Sequence, residues 1–359
     1  MDFYKIIIVL FFFIQYLGIG AVSQAVIVLL TINELIRGAK FKFSPINVLF
    51  LSLLFIIFYC KGFYMPLLGS LMIFKFYWGF ILFYFFFTIS NFKVDFSFLF
   101  KCLIVVTIVE SILINTIVPL SLMKNIPVTH LEVIESESYL TIIQRAYGLA
   151  SSPTASATVV VTLLACIFKL QPQAYKDSYI LMAAFALVLL GSGTGFILMI
   201  LFLIVRYRLF SGFRMGIGLL AIFLLVGFIA GNDIANGGVL MRLSGSYFEG
   251  LRDLKFEQFF EVWNKISRSS VELLFGYGYE SLDDLRLLSD FGWIDFLECC
   301  GLLGVFLFLA FIILNAKKEL LLPIAIVLIG YFHYPSLGSI PGQIVFGAML
   351  AYKKNYTLA

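Results

Sequence analysis

Apolar runs long enough to cross a hydrocarbon layer recur from one end of the chain to the other, punctuated by short polar turns. At ordinary span lengths they predict about twelve helices, beginning near Tyr4, Ile19, Pro45, Phe76, Phe96, Thr154, Tyr179, Gly195, Phe213, Phe291, Leu320 and Pro341. Two polar segments interrupt this pattern. One runs from Pro119 to Pro153; the other, Gly231 to Asp290, spans about sixty residues and far exceeds an ordinary connection. With 62% hydrophobic and 13% charged residues, there is too little polar surface to clothe a water-soluble globule of 359 residues. The expected fold class is therefore an all-α polytopic membrane protein. Residues 1–359 form one helical membrane domain, with loops of about 119–153 and 231–290 as an external cap.

Charge placement orients the spans. Arg37, Lys40 and Lys42 follow the second span, Lys93 the fourth, Lys169 and Lys176 the sixth, Arg206, Arg208 and Arg214 the eighth, and Lys317 and Lys318 the tenth. All lie after even-numbered spans, so the positive-inside rule puts them, both termini and Lys353-Lys354 in the cytoplasm and the two polar segments outside. The stretch from Lys61 to Lys75 is the exception, with two lysines on the outer side and Met65 to Phe74 as a candidate partial span. Lys5, Ile6 to Ile14 and Ala21-Val22-Ser23 imitate a cleaved leader. Apolar sequence resumes at once through Leu30, however, which predicts a retained hairpin of two spans.

Composition removes several function classes. The five cysteines, Cys60, Cys102, Cys166, Cys299 and Cys300, sit in apolar segments without histidines at metal-ligand spacing, so neither a metal site nor a disulfide framework is expected. The net charge of +4 is accounted for by the basic turns and implies no nucleic-acid partner. No phosphate-binding loop, dinucleotide fingerprint or nucleophile elbow occurs, and no cofactor is expected.

Candidate chemistry concentrates outside. Arg145-Ala-Tyr-Gly148-Leu-Ala-Ser-Ser-Pro153 shapes a re-entrant turn before a helix that Ser151, Ser152 or Thr154 can cap, and the N–H groups of that helix favour an anion near Arg145. The plainer alternative is that Arg145 snorkels to lipid phosphates. From Gly250 to Ile266 apolar residues recur at three and four, marking an amphipathic interfacial helix with Trp263 at headgroup level. Arg242 and Arg252 flank its start. Gly276-Tyr277-Gly278-Tyr279, Asp283, Asp284, Arg286 and Asp290 follow. The outward arginines suit a phosphorylated lipid headgroup, because guanidinium donates paired hydrogen bonds and keeps its charge. Asp290 is either the N-cap of the next helix, a general base, or both. Of the two histidines, His333 is the second candidate proton acceptor and His130 lies in an acidic loop. Glu110, inside the fifth span, requires a partner or water.

The order of these features resembles the O-antigen polymerase and ligase superfamily of bacterial envelope glycosyltransferases, over roughly Arg145 to Gly304. The elements carrying it are Arg145-x-x-Gly148 with Pro153, the Gly191 to Gly195 turn, the long loop with its arginines, Gly276-x-Gly278, Asp290-Phe-Gly292-Trp293 and Gly301-Leu-Leu-Gly304. Asp290 stands where ligases carry a histidine, which favours a polymerase of the Wzy type. The arginine that the superfamily often has in the turn here reading Gly191-Ser192-Gly193-Thr194 is missing, so its role does not carry over.

The resemblance implies a C-type glycosyltransferase (GT-C) body in the bacterial inner membrane with a periplasmic active site. It implies transfer of a growing glycan from undecaprenyl pyrophosphate to a terminal hydroxyl of an incoming lipid-linked repeat unit, without a metal. Arg145 and Arg252 would then hold the leaving pyrophosphate and Asp290 would take the proton, with Arg242, Arg286, His333, Tyr277 and Tyr279 binding substrate. Its partners would be lipid-linked oligosaccharides, membrane lipids and a Wzz-type chain-length regulator. The rival readings are a ligase with a lipid A-core acceptor, and a lipid-linked oligosaccharide flippase. The flippase is disfavoured because neither an internal repeat nor paired interrupted helices are visible in the sequence.

Overall fold

The structure, a computed structural model, describes residues 3–14, 20–38, 45–61, 67–90, 92–116, 146–150, 152–208, 256–257, 259–277, 292–334 and 336–352. All regular structure among them is helical. The elements are α1 (Phe3–Ile14), α2 (Gly20–Ile36), α3 (Pro45–Lys61), α4 (Leu67–Ile73) running into a π-turn (Phe74–Trp78), α5 (Phe80–Ser90), α6 (Phe96–Thr116), α7 (Pro153–Leu170), α8 (Ser178–Leu190), α9 (Gly193–Tyr207), α10 (Ser270–Phe275), α11 (Gly292–Asn315), α12 (Leu321–Gly330) and α13 (Ile340–Ala351). The expected helix at Phe213 lies outside the described residues. On their own, α6, α7 and α11 are long and apolar enough to cross a membrane. Leu29, Phe55, Leu181 and Ile313 point outward at 65 to 73% exposure, a surface that suits hydrocarbon rather than water.

The pillar of the bundle is α7, which packs against α6, α8, α9, α12 and α13. Its sequence explains how so many neighbours fit. Ala155, Ser156, Ala157, Thr158 and Ala165 are fully buried, and small side chains let helices approach closely where apolar burial gives no driving force between them. Gly195 of α9 sits against Ala157, and Gly330 of α12 against Thr158. Around this pillar, the phenylalanine excess proves to be substantially core. Tyr77, Trp78 and Phe80 interlock with Phe296 and Phe308 of α11, Tyr331 and Phe346, at centroid separations such as 5.1 Å for Tyr77–Phe296 and 5.0 Å for Phe80–Phe346.

The element expected to start at Phe76 is a bent pair. Residues 69–78 and 80–90 meet at 58°, so the partial span expected over Met65 to Phe74 is the first arm of one broken element. The π-turn loosens the helical ladder, and the carbonyl of Lys75 is met from two other helices. Gln24 Nε2 of α2 and Gln343 Nε2 of α13 donate to it at 3.0 and 2.6 Å, and Gln24 also donates to Gln343 Oε1 at 2.7 Å. Glycine at position 79 leaves room for this pair, since a Cβ there would lie 2.2 Å from Gln24 Nε2 and displace the glutamine side chains. The two lysines that break the charge pattern are explained as well. Lys61 is fully buried, and the Lys75 ammonium lies 5.2 Å from the centroid of the Phe76 ring, so neither marks a turn in water.

The basic turns converge on one pole. Lys5 pairs with Asp95, Arg37 with Glu34, Arg206 with Asp177, and Lys317 donates to the Tyr352 carbonyl. The Tyr352 hydroxyl reaches the Leu170 carbonyl and Gln171 Nε2 reaches the Val94 carbonyl, tying the ends of α7 and α13 to the start of α6. The opposite, loop pole gathers the starts of α7, α9, α11 and α13 and the end of α12.

Gln343→Leu removes the donor to the Lys75 and Leu337 carbonyls and half of the pair with Gln24. A loss of about 3 kcal/mol is expected, read as a lower unfolding midpoint in detergent, with an unchanged midpoint showing that the glutamines do not hold the bend.

Candidate functional site

Three features meet at the loop pole, and the first is the turn 146–150 just before α7. It is folded into the protein: Ala146, Tyr147, Leu149 and Ala150 are all buried. Its backbone groups are satisfied one by one. Glu110 of α6 accepts from the Tyr147 N–H (3.2 Å) and the Gly148 N–H (2.7 Å) through its two carboxyl oxygens. Ser156 accepts from the Ala150 N–H and donates to the Tyr147 carbonyl, while the Ala146 N–H reaches the Leu189 carbonyl at the end of α8. Glu110 sits six residues before the end of α6, so the turn dips about 9 Å below that end. Main-chain N–H groups are thus among the partners that the sequence could not name for Glu110. Ser152 is the cap of α7, accepting from the Ala155 N–H at 3.0 Å with Pro153 at the first helical position.

The second feature is a break in α11. Gly301 has φ 64° and ψ −175°, so the helix divides after Cys300. This break is docked backbone to backbone on the C-terminal end of α10. A Cβ on Gly301 would lie 2.4 Å from the Gly276 nitrogen, and one on Gly276, also at positive φ, would lie 2.6 Å from the Glu298 carbonyl oxygen. The buried Lys61 ammonium lies 3.5 Å from the Gly276 carbonyl. In front of this joint, helical residues 259–266 pack Phe259, Val262 and Ile266 on Ile294 and Leu297 of α11. Lys265 bridges to Glu298 at 2.8 Å and lies over the Tyr277 ring at 4.2 Å. Phe256, Phe260 and Trp263 stay exposed on the other side, as an interfacial helix requires.

At the third feature the start of α11 meets the end of α12. Trp293 donates to the Leu328 carbonyl at 3.0 Å, and its ring packs on Tyr331 (5.2 Å) and Phe332 (6.3 Å). Asp295, in the first turn of α11, is 4% exposed and close enough to Tyr331 to interact electrostatically. His333 follows in the turn after α12, half-buried, its N–H bonded to the Gly330 carbonyl.

Of the residues expected to form the site, Tyr277 and His333 are described, and both lie at this pole, on opposite ends of the first half of α11. Arg145, Arg242, Arg252, Tyr279, Arg286 and Asp290 lie outside the described residues, as do His130, Asp283 and Asp284. Sequence reasoning missed Lys61, Asp295 and the pairing of Gly276 with Gly301. The signal for the last was present, since both glycines belong to motifs singled out in the sequence. Asp295 falls at an unassigned position of the Asp290-Phe-Gly292-Trp293 element and carried no signal of its own. Among the described residues no group of His, Cys, Asp or Glu has the arrangement of a metal site.

Two substitutions test these joints. Glu110→Gln keeps one acceptor but sets an amide N–H₂ against a main-chain donor, and a loss of about 2 kcal/mol in detergent unfolding is expected; an unshifted midpoint would show that Glu110 does not hold the turn. Gly301→Ala adds a Cβ 2.4 Å from main-chain atoms at a positive φ and is expected to cost more than about 3 kcal/mol or to prevent accumulation, whereas a stable variant would contradict the docked break. No model of a known protein family, no characterised protein and no solved structure matches this chain.

Proposed function

We propose that this chain is a polytopic membrane glycosyltransferase of the O-antigen polymerase kind, working on polyprenyl-pyrophosphate-linked glycans. One observation carries the reading. Among the described residues, Gly148, the Gly191 to Gly195 turn, Gly276 and Gly301, all from elements on which the resemblance rests, lie toward the pole opposite the basic turns, at irregular backbone set into a helical membrane body. In a lipid-like interior, irregular backbone is retained where it is buried in protein or lines a cavity, and that is where reacting groups of a lipid-linked substrate must enter.

In this reading there are twelve spans with a GT-C body in the inner membrane, both termini cytoplasmic, and the loop pole in the periplasm. The acceptor hydroxyl attacks the anomeric carbon, the carbon–oxygen bond to pyrophosphate breaks, and attack opposite the leaving group inverts the centre. Asp290, with His333 as the alternative, takes the hydroxyl proton. Undecaprenyl pyrophosphate leaves with its new negative charge held by Arg145, Arg252 and Arg242.

A flippase is the second reading, and the structure strengthens it. The sequence argued against broken helices, yet α11 divides at Gly301 and the α4–α5 pair bends by 58°. Broken helices are common at transporter substrate sites.

Deleting the gene in its host bacterium and restoring it with wild type, Arg252→Ala, Asp290→Asn or His333→Ala separates these readings on a lipopolysaccharide gel. Core carrying a single repeat, with the ladder restored by wild type and not by Arg252→Ala at equal protein level, is the expected result. Bare core with accumulating lipid-linked polymer would mean a ligase, and bare core without polymer a flippase. Full polymer from Asp290→Asn would remove that residue as the base.

A further inference from the structure

The stretch from Phe256 to Tyr277 belongs in sequence to the polar segment expected outside the membrane, yet the structure sets it along a helix long enough to cross one. Helical residues 259–266 pack on Ile294 and Leu297 in the first two turns of α11. Further down, a Cβ on Gly301 would lie 2.4 Å from the Leu274 carbonyl oxygen as well as from the Gly276 nitrogen. The segment thus follows α11 from Ile294 to Gly301, a descent of about 10 Å at the rise of an α-helix.

Counting along α11 gives the depth. The helix ends at Asn315, directly before the basic turn with Lys317 and Lys318. About twenty helical residues cross the hydrocarbon layer, and counted back from Asn315 they reach Phe296. Gly301 then lies about 7 Å inside the layer, and the end of α10 lies with it. Three observations fit that depth. Val271 and Leu274 of α10 are about half exposed, and beyond the break the apolar surface continues along α11 with Leu302 and Phe306. Main chain at this level is met by protein groups, since the Gly276 N–H bonds to the Glu272 carbonyl at 2.7 Å and the ammonium of the fully buried Lys61 lies 3.5 Å from the Gly276 carbonyl. The charged residues of the segment, Glu257, Glu261, Lys265, Arg268 and Glu272, all precede Leu274, where the chain reaches Gly301.

We propose that Phe256 to Tyr277 is a re-entrant element docked on the lipids of the leaflet at the loop pole. Helical residues 259–266 lie at the interface, with Phe260 and Trp263 turned to the lipid, and α10 sinks into the hydrocarbon with Val271 and Leu274 against acyl chains. Lipid is the occupant because this exposed surface runs on, at the Leu274–Gly301 contact, into the lipid-facing flank of α11. The joint of Gly276 with Gly301 then stands at the depth of lipid chains rather than in water, in either functional reading.

The test uses the full chain in phosphatidylcholine nanodiscs, where both faces meet the solvent. Leu274→Cys, Phe260→Cys and, as a control on the polar side, Glu261→Cys are treated with a charged maleimide and with a membrane-soluble one, and labelling is read above the background of the native cysteines. Leu274→Cys and Phe260→Cys are expected to react with the charged reagent roughly tenfold more slowly than Glu261→Cys, and to keep their reactivity toward the membrane-soluble one. Trp263 gives a second readout that needs no cysteine. With 5-fluorotryptophan at all three tryptophans and the resonance assigned by Trp263→Phe, nitroxide-bearing lipid should broaden Trp263 more than an aqueous paramagnetic chelate does. Charged-reagent labelling of Leu274→Cys as fast as that of Glu261→Cys, or stronger broadening of Trp263 by the chelate, would put the segment in water and overturn the proposal. Resistance of Leu274→Cys to both reagents would mean that protein covers it, which overturns the proposal as well.

Discussion

A main-chain amide that leaves a helix inside an apolar medium has no water to turn to, so each irregular step must bring its own partner. In this protein that partner is a polar side chain reaching across from another helix. Glu110 of α6 holds the 146–150 turn, Gln24 and Gln343 hold the π-turn carbonyl, and Lys61 approaches the carbonyl where α10 docks on the α11 break. These residues are rare polar positions in apolar helices, and each replaces a water or a neighbouring backbone group. Losing one leaves a buried donor or acceptor unmet, which costs more than an ordinary hydrogen bond contributes.

This constraint also sorts the two poles. At the basic pole, cations sit at helix C-termini or pair with carboxylates. At the loop pole, irregular backbone enters the protein, glycine lets chains touch at Gly276 and Gly301, and acids such as Glu110 and Asp295 are buried. Such positions cost stability and are kept where geometry matters more than strength.

What the sequence discloses follows from how local each signal is. Hydropathy runs mark helices because a span is a contiguous stretch, and structure begins near nearly every expected start; Ser152 as cap and Pro153 as first helical residue are equally local signals. The break at Gly301 sits within a continuous apolar run, and the chain it docks on, at Leu274 and Gly276, is distant in sequence. Glu110 was recognisable as costly, but two of its partners stand 37 and 38 residues away on main chain that carries no side-chain signature. Lys61 misled the charge count because the positive-inside rule treats a lysine as solvated, and this one is fully buried.

The broken α11 bears on mechanism in either functional reading. A continuous helix transmits a push along its axis, but one divided at Gly301 leaves residues 292–300 as a separate lever, attached to α10 and helical residues 259–266 on one side and to the Trp293–Tyr331 contact on the other. Both parts reach the aromatic core, residues 292–300 through Phe296 and residues 302–315 through Phe308 and Phe311. The arm 292–300 thus joins three parts of the protein: helical residues 259–266, the aromatic core through Phe296, and the end of α12, where His333 lies, through Trp293.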